Sequence, residues 1–207
     1  MIMKFKIDGG ILAGGLSSRM DGKDKGLQTF NNQAMTLWVY QAISPFVDTV
    51  YINCNRNHTR YQEISPHTCS DTIAGFQGPL AGIVSLMSAS DADYLLISPC
   101  DTPLLNQAFG KKMLAVLNDK LADDPHQTIL IAAKDENRSH PLHLCISIKL
   151  KHKLEQAIEN GEHRVMQWVR NNDVHWVDFS KDASPDNTDY FVNFNTLDAL
   201  EKSQTSK

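Results

Sequence analysis

The chain has 207 residues, 42% apolar and 21% charged, which suits one domain and is too apolar for a disordered segment. Its 20 basic and 24 acidic side chains leave a net charge of −4. That argues against a general nucleic-acid binder, which carries a basic surface, but not against one local anion site. Four cysteines (Cys54, Cys69, Cys100, Cys145), spaced 15, 31 and 45 positions apart, form no Cys-x-x-Cys pair, so a zinc ribbon or thioredoxin-type motif is not expected. No signal-peptide core opens the chain, and no apolar run reaches the roughly 20 residues of a membrane helix. The expectation is a cytoplasmic protein with reduced thiols and neither a membrane nor a nucleic-acid partner.

In chain order, residues 6–12 read as a first strand, ended by Gly14-Gly15. Residues 34–46 (AMTLWVYQAISPF) carry apolar side chains at helical spacing until Pro45 disturbs it. Residues 49–53 (TVYIN) predict a strand, with another short run at 68–70, and residues 79–89 (PLAGIVSLMSA) a helix with proline in its first turn. A buried strand is expected at 94–98 (YLLIS), a helix at 109–117, and strands at 128–132 (TILIA) and 142–148 (LHLCISI). Helices follow at 149–159 and 164–170, then late strands at 174–179 and 190–194, and residues 201–207 read as a frayed tail. Short strands alternating with helices predict an α/β domain with a doubly wound, mostly parallel sheet, a Rossmann-like three-layer arrangement. Ligands in such sheets bind beyond the carboxyl ends of the strands.

The segment after the first strand is Leu12-Ala13-Gly14-Gly15-Leu16-Ser17-Ser18-Arg19-Met20-Asp21-Gly22-Lys23-Asp24-Lys25-Gly26. Glycines let consecutive N–H groups converge on an anion. Arg19 and Lys25 add fixed positive charge, one as a planar fork and one as a compact cation. The loop reads as a polyphosphate cradle, with a basic strand-to-helix connection as the plainer alternative. It is not a Walker A loop, because Gly22-Lys23 is followed by Asp24, and the adjacent Gly14 and Gly15 break a G-x-G-x-x-G fingerprint.

The pattern Leu-Ala-Gly-Gly-x-Ser-x-Arg-Met followed by Asp-Lys-Gly resembles nucleotidyltransferases of the sugar-nucleotide type, and more narrowly the molybdenum cofactor guanylyltransferase family. Further blocks match in order: Asn53-Cys54-Asn55-Arg56, Gly78-Pro79-Leu80-Ala81-Gly82, Pro99-Cys100-Asp101-Thr102-Pro103, His140-Pro141, Arg164-Val165-Met166 and Phe191-Val192-Asn193-Phe194-Asn195-Thr196. Two positions depart from the family pattern. Asp21 stands where Gly is usual, placing a negative charge beside the loop, and Leu197 stands where Pro is usual.

The resemblance implies a nucleotidyltransferase that moves GMP from GTP to molybdenum-loaded molybdopterin and releases pyrophosphate, with Mg²⁺ as cofactor. It implies a single domain over 1–207, with a nucleotide-binding half at about 1–105 and a molybdopterin-binding half at about 106–200. Arg19, Lys25 and Asp101 are the expected catalytic residues, Asp101 doubling as the Mg²⁺ ligand, because Mg²⁺ needs only one or two carboxylates besides phosphates and waters. GTP is expected at Leu12, Ala13, Gly14, Gly15, Lys25, Asn53, Asp71, Gly78, Leu80, Gly82 and Asp101. The pterin is expected at His140, Arg164, Asn193 and Asn195. Other cofactor-biosynthesis proteins and recipient molybdoenzymes are the expected partners. The alternatives are a cytidylyltransferase on the same pterin, a sugar-phosphate nucleotidyltransferase, or a non-catalytic nucleotide-binding protein. His140 and His143 look like a metal pair, but strand alternation places residues three apart on opposite faces, so zinc is not expected there.

Overall fold

The first strand, β1 (Ile7–Leu12), is closely flanked on both faces. A Cβ at Gly9 would lie 3.2 Å from Ile43, Val47 and Val50, whereas one at Gly10 would lie 2.8 Å from Leu86 on the other face. Adjacent glycines thus let helical layers close on both sides of a central strand. The computed structural model describes residues 5–15, 24–73, 78–180 and 190–194.

After β1 come a two-residue hairpin, β2 (Thr29–Phe30) and β3 (Gln33–Ala34), then α1 (Met35–Ile43) and β4 (Val50–Asn53). A short α2 (His58–Gln62), β5 (Thr68–Cys69), α3 (Pro79–Ala89) and β6 (Tyr94–Pro99) complete the first half. The second half runs α4 (Gln107–Asp123), β7 (Leu130–Lys134), β8 (Ser139–Ser147), α5 (Lys151–Glu159), α6 (Val165–Arg170) and β9 (His175–Asp178).

The main sheet has seven strands in the order β5-β4-β1-β6-β8-β7-β9. Four pairings are parallel, and β8 runs antiparallel to both β6 and β7. The expected α/β architecture is therefore observed, with one reversed strand inside it. One core layer packs Ile43, Phe109, Met113 and Leu117 from α1 and α4 against Ile11, Leu96 and Ile131. The opposite layer packs Leu80, Ile83 and Leu86 of α3, Leu154 and Ile158 of α5 and Trp168 of α6 against Leu12, Leu95 and Ala132. All four cysteines are free thiols, and among the described residues no helix is long and apolar enough to cross a membrane.

Several elements differ from the sequence reading for identifiable reasons. Pro45 ends α1 at Ile43 and leaves one 3-10 turn at Ser44–Phe46. The helix expected at 109–117 extends over Gln107–Asp123, because Asn106 caps it by accepting the Ala108 N–H at 2.9 Å and its polar continuation faces solvent. Residues 190–194 form no strand. Their apolar side chains serve docking instead, with Phe191 and Phe194 packed into separate apolar clusters.

The register between β7 and β8 jumps: Ala132 pairs with Leu144, but Ala133 pairs with His140. Three residues of β8 bulge out between these pairings, which suspends strand alternation. His140 and His143 therefore lie near each other, ring centroids 5.9 Å apart, contrary to the expectation of opposite faces.

Candidate active site

The carboxyl ends of β1, β4 and β6 converge where the strand order reverses, the place where open α/β sheets bind ligands. Backbone hydrogen bonds tie the three ends together. Ala13 N–H donates to Asn53 O at 2.8 Å, and Cys100 N–H donates to Leu12 O at 3.1 Å. These backbone groups of Leu12 and Ala13 thus hold the framework of the site.

Lys25 Nζ and Asp101 Oδ2, 76 residues apart in sequence, form an ion pair with both side chains mostly buried. Asp101 Oδ1 is buried, and no described residue hydrogen-bonds to it. A buried carboxylate oxygen left over after one ion pair fits a hard cation that takes oxygen ligands. The Asp101 turn is braced from the second half of the chain: Phe194 N–H donates to Asp101 O at 3.1 Å, and Thr102 Oγ1 lies 3.2 Å from His143 Nε2. Thr102 also donates to Pro99 O at 3.3 Å, so the imidazole Nε2–H donates to the threonine oxygen.

On the other side of β1, Asp71 is gripped by two asparagines. Asn53 Nδ2 donates to Asp71 Oδ1 at 3.0 Å and Asn55 Nδ2 to Oδ2 at 2.7 Å. Asn55 Oδ1 accepts the Asp71 N–H at 2.9 Å, and its amide also reaches Gly14 O at 3.1 Å. Asn53 and Asp71 are expected in the site from the sequence, and Asn55 is not. Its signal was the matched block Asn53-Cys54-Asn55-Arg56.

The predicted glycines have separable roles. Gly82 lets α3 approach, since a Cβ there would stand 2.7 Å from Asn53 Oδ1 and 2.8 Å from Leu12. Gly78 precedes α3 with φ 72°, a left-handed backbone that favours glycine. Gly15 is exposed and has open space at its Cβ position. Leu80 is fully buried in the core beneath α3, so its side chain supports the site from behind. Arg19 lies outside the described residues, as do Asp21 and Asn195.

The expected pterin residues do not all come together. His140 is buried, makes a 2.6 Å contact with Asp135 Oδ2 and stacks on Phe191 with centroids 4.1 Å apart. Asn193 is exposed two residues beyond Phe191. Arg164 is exposed and precedes α6, which packs on the opposite sheet face from Phe191. His140 is thus committed to an internal partner and an internal ring. Burial works to raise the Asp135 carboxyl, but the His140 hydrogen bond and the N–H groups of Arg138 and Asn137 outweigh it and hold it below its ordinary value. Burial, reinforced by the neighbouring His140 imidazole and Arg138 guanidinium, pushes His143 well below the usual imidazole range, so it is neutral at neutral pH. Burial raises Cys54 to about 12, so this thiol is no thiolate nucleophile.

The fold and this strand-end site define an α/β nucleotidyltransferase-like domain. The chain resembles the crystal structure of molybdopterin-guanine dinucleotide biosynthesis protein A from Archaeoglobus fulgidus with a TM-score of 0.71 at 19% identity, covering 95% of this chain and 96% of that one. Residues 9–175 match the MobA-like NTP transferase domain. A Haemophilus influenzae protein named molybdenum cofactor guanylyltransferase is 36% identical over 200 residues, 97% of this chain and 98% of its own. A Shewanella baltica protein of the same name is 39% identical over 194 residues, 94% of this chain and 93% of its own. The chain belongs to this family of MobA-like NTP transferases.

Proposed function

We propose that the chain transfers GMP from GTP to molybdenum-loaded molybdopterin, releasing pyrophosphate and forming the guanine dinucleotide cofactor. The observation that carries this reading is the Lys25–Asp101 pair at the strand-order reversal; the names of the relatives supply the substrates. A terminal phosphate oxygen of the pterin attacks the α-phosphorus of GTP, and the bond from that phosphorus to the bridging oxygen breaks. The attacking phosphate is already anionic, so positioning and charge stabilisation carry the catalysis. Lys25, with Arg19, neutralises the triphosphate. Asp101 would hold a Mg²⁺ ion, which supplies charge neutralisation at the phosphate oxygens when bound. Asp71, with Asn53 and Asn55 behind it, offers acceptors to the guanosine. Asn193, which is exposed, and Asn195 are the asparagines this reading assigns to the pterin.

The test supplies GTP, CTP, ATP and UTP separately with Mg²⁺ and molybdenum-loaded molybdopterin, and reads pyrophosphate and dinucleotide by chromatography. Only GTP should be consumed. Use of CTP in its place would overturn the base assignment, and no product with any nucleotide would overturn the reaction. Lys25→Met is expected to cost roughly 10²–10³ in turnover, as removal of one donor to developing charge does, and Asp101→Asn should abolish Mn²⁺ binding measured by electron paramagnetic resonance.

A further inference from the structure

Lys25 sits beside a carboxylate, Asp24, that could neutralise it in place of Asp101. Instead the Asp24 side chain is buried and turned onto the 56–61 segment. Its Oδ1 accepts the Tyr61 hydroxyl at 2.5 Å and its Oδ2 accepts the Asn57 amide at 2.9 Å, with Arg56 Nε 3.5 Å from Oδ2. Tyr61 is fully buried, and burial pushes its hydroxyl far above the ordinary phenol range, so it stays protonated and donates. Asn57 holds φ 56° and ψ 31°, a left-handed backbone that asparagine tolerates better than most residues.

The backbone around Lys25 is fastened as well. Gln28 Nε2 donates to Asp24 O at 2.8 Å, and Thr36 Oγ1 donates to Gly26 O at 2.9 Å. Gly26 leaves no room to shift, since a Cβ there would meet Thr36 Oγ1 and Tyr61 OH at 2.5 Å. Of these contacts, the Asp24 carboxylate is the charged one, and it is adjacent to the lysine that must be aimed. Charge-assisted bonds of this kind are stronger and more directional than neutral ones.

We infer that Asp24 is a positioning residue for Lys25: bound by Tyr61, Asn57 and Arg56, it fixes the lysine's backbone and withholds its own charge from the ammonium, so that Lys25 is presented to the site. The inference rests on the reading that Lys25 acts on the nucleotide's phosphates. It gives a role to Arg56, which the sequence match singled out and the nucleotide chemistry does not use.

The test combines Asp24→Asn and the gentler Tyr61→Phe with Lys25→Met in mutant cycles. In the wild-type background Asp24→Asn should lower kcat/KM for GTP about a hundredfold and Tyr61→Phe about tenfold, the range for lost hydrogen bonds to charged groups. In the Lys25→Met background either change should cost no more than about twofold, because the lysine is already gone. The same cycle is read on GTP affinity by calorimetry, which separates failure of this inference from failure of the transfer reaction. Amide hydrogen exchange gives a readout independent of nucleotide: residues 25–28 should exchange faster in both variants while β1, β6 and α4 keep their protection. Equal fold losses with and without Lys25, or unchanged exchange at 25–28, would overturn the inference, and Tyr61→Phe decides it if Asp24→Asn does not fold.

Discussion

His143 makes the stability of this protein pH-dependent in a calculable way. It is buried, neutral and held well below the ordinary imidazole value by burial, whereas in the unfolded chain it titrates near 6.5. Below about that pH the unfolded state takes up a proton that the folded state refuses, so stability falls as pH drops. Between about pH 7.5 and 5.5 the unfolded-state protonation term changes about tenfold, which is about 1.4 kcal/mol at 25 °C. His143→Gln keeps an amide donor for Thr102 and removes the titration. Urea unfolding of the two proteins at both pH values isolates the effect: the wild type should lose about 1.4 kcal/mol more than the variant over that interval. An identical loss in both would show that His143 ionises freely in the folded state and would refute the reasoning.

Two further outcomes follow from packing at the strand ends. Gly82→Ala drives a Cβ to 2.7 Å from Asn53 Oδ1; it should cost about 1–3 kcal/mol of stability and weaken GTP binding in calorimetry, because Asn53 and Asp71 shift together. Phe191→Ala removes a buried ring stacked on His140; it should cost about 3–5 kcal/mol in denaturant unfolding and lower turnover with less effect on GTP affinity, because the Phe194 brace on Asp101 loosens.

Local signals carried the first half of the fold into the sequence reading. Proline at the start of α3 and the apolar run after it marked Pro79–Ala89 to the residue, and the β-branched, aromatic run marked β4 within one residue. The family resemblance implies Lys25 and Asp101 in one chemistry, and the fold brings the two side chains into contact. What stayed hidden depends on pairings distant in sequence. Asn55 looks like any loop asparagine until β5 delivers Asp71 to it. Tyr61 sits in a helix of only five residues, too short for periodicity to reveal. His140 was expected at the pterin, but its partner Asp135 comes from the turn between β7 and β8, and its stacking partner Phe191 comes from a segment without regular structure.

The bulge in β8 means that one strand carries two reading frames. Residues 144–146 pair in register with both β6 and β7 and belong to the core, whereas 139–140 pair with β7 after a three-residue offset. Because the bulge carries the offset, a one-residue change within it would re-aim the side chains of 141–143, His143 on Thr102 among them, while the paired inner residues keep their register. The bulge can therefore alter the brace behind the Asp101 turn without disturbing the sheet that carries that turn.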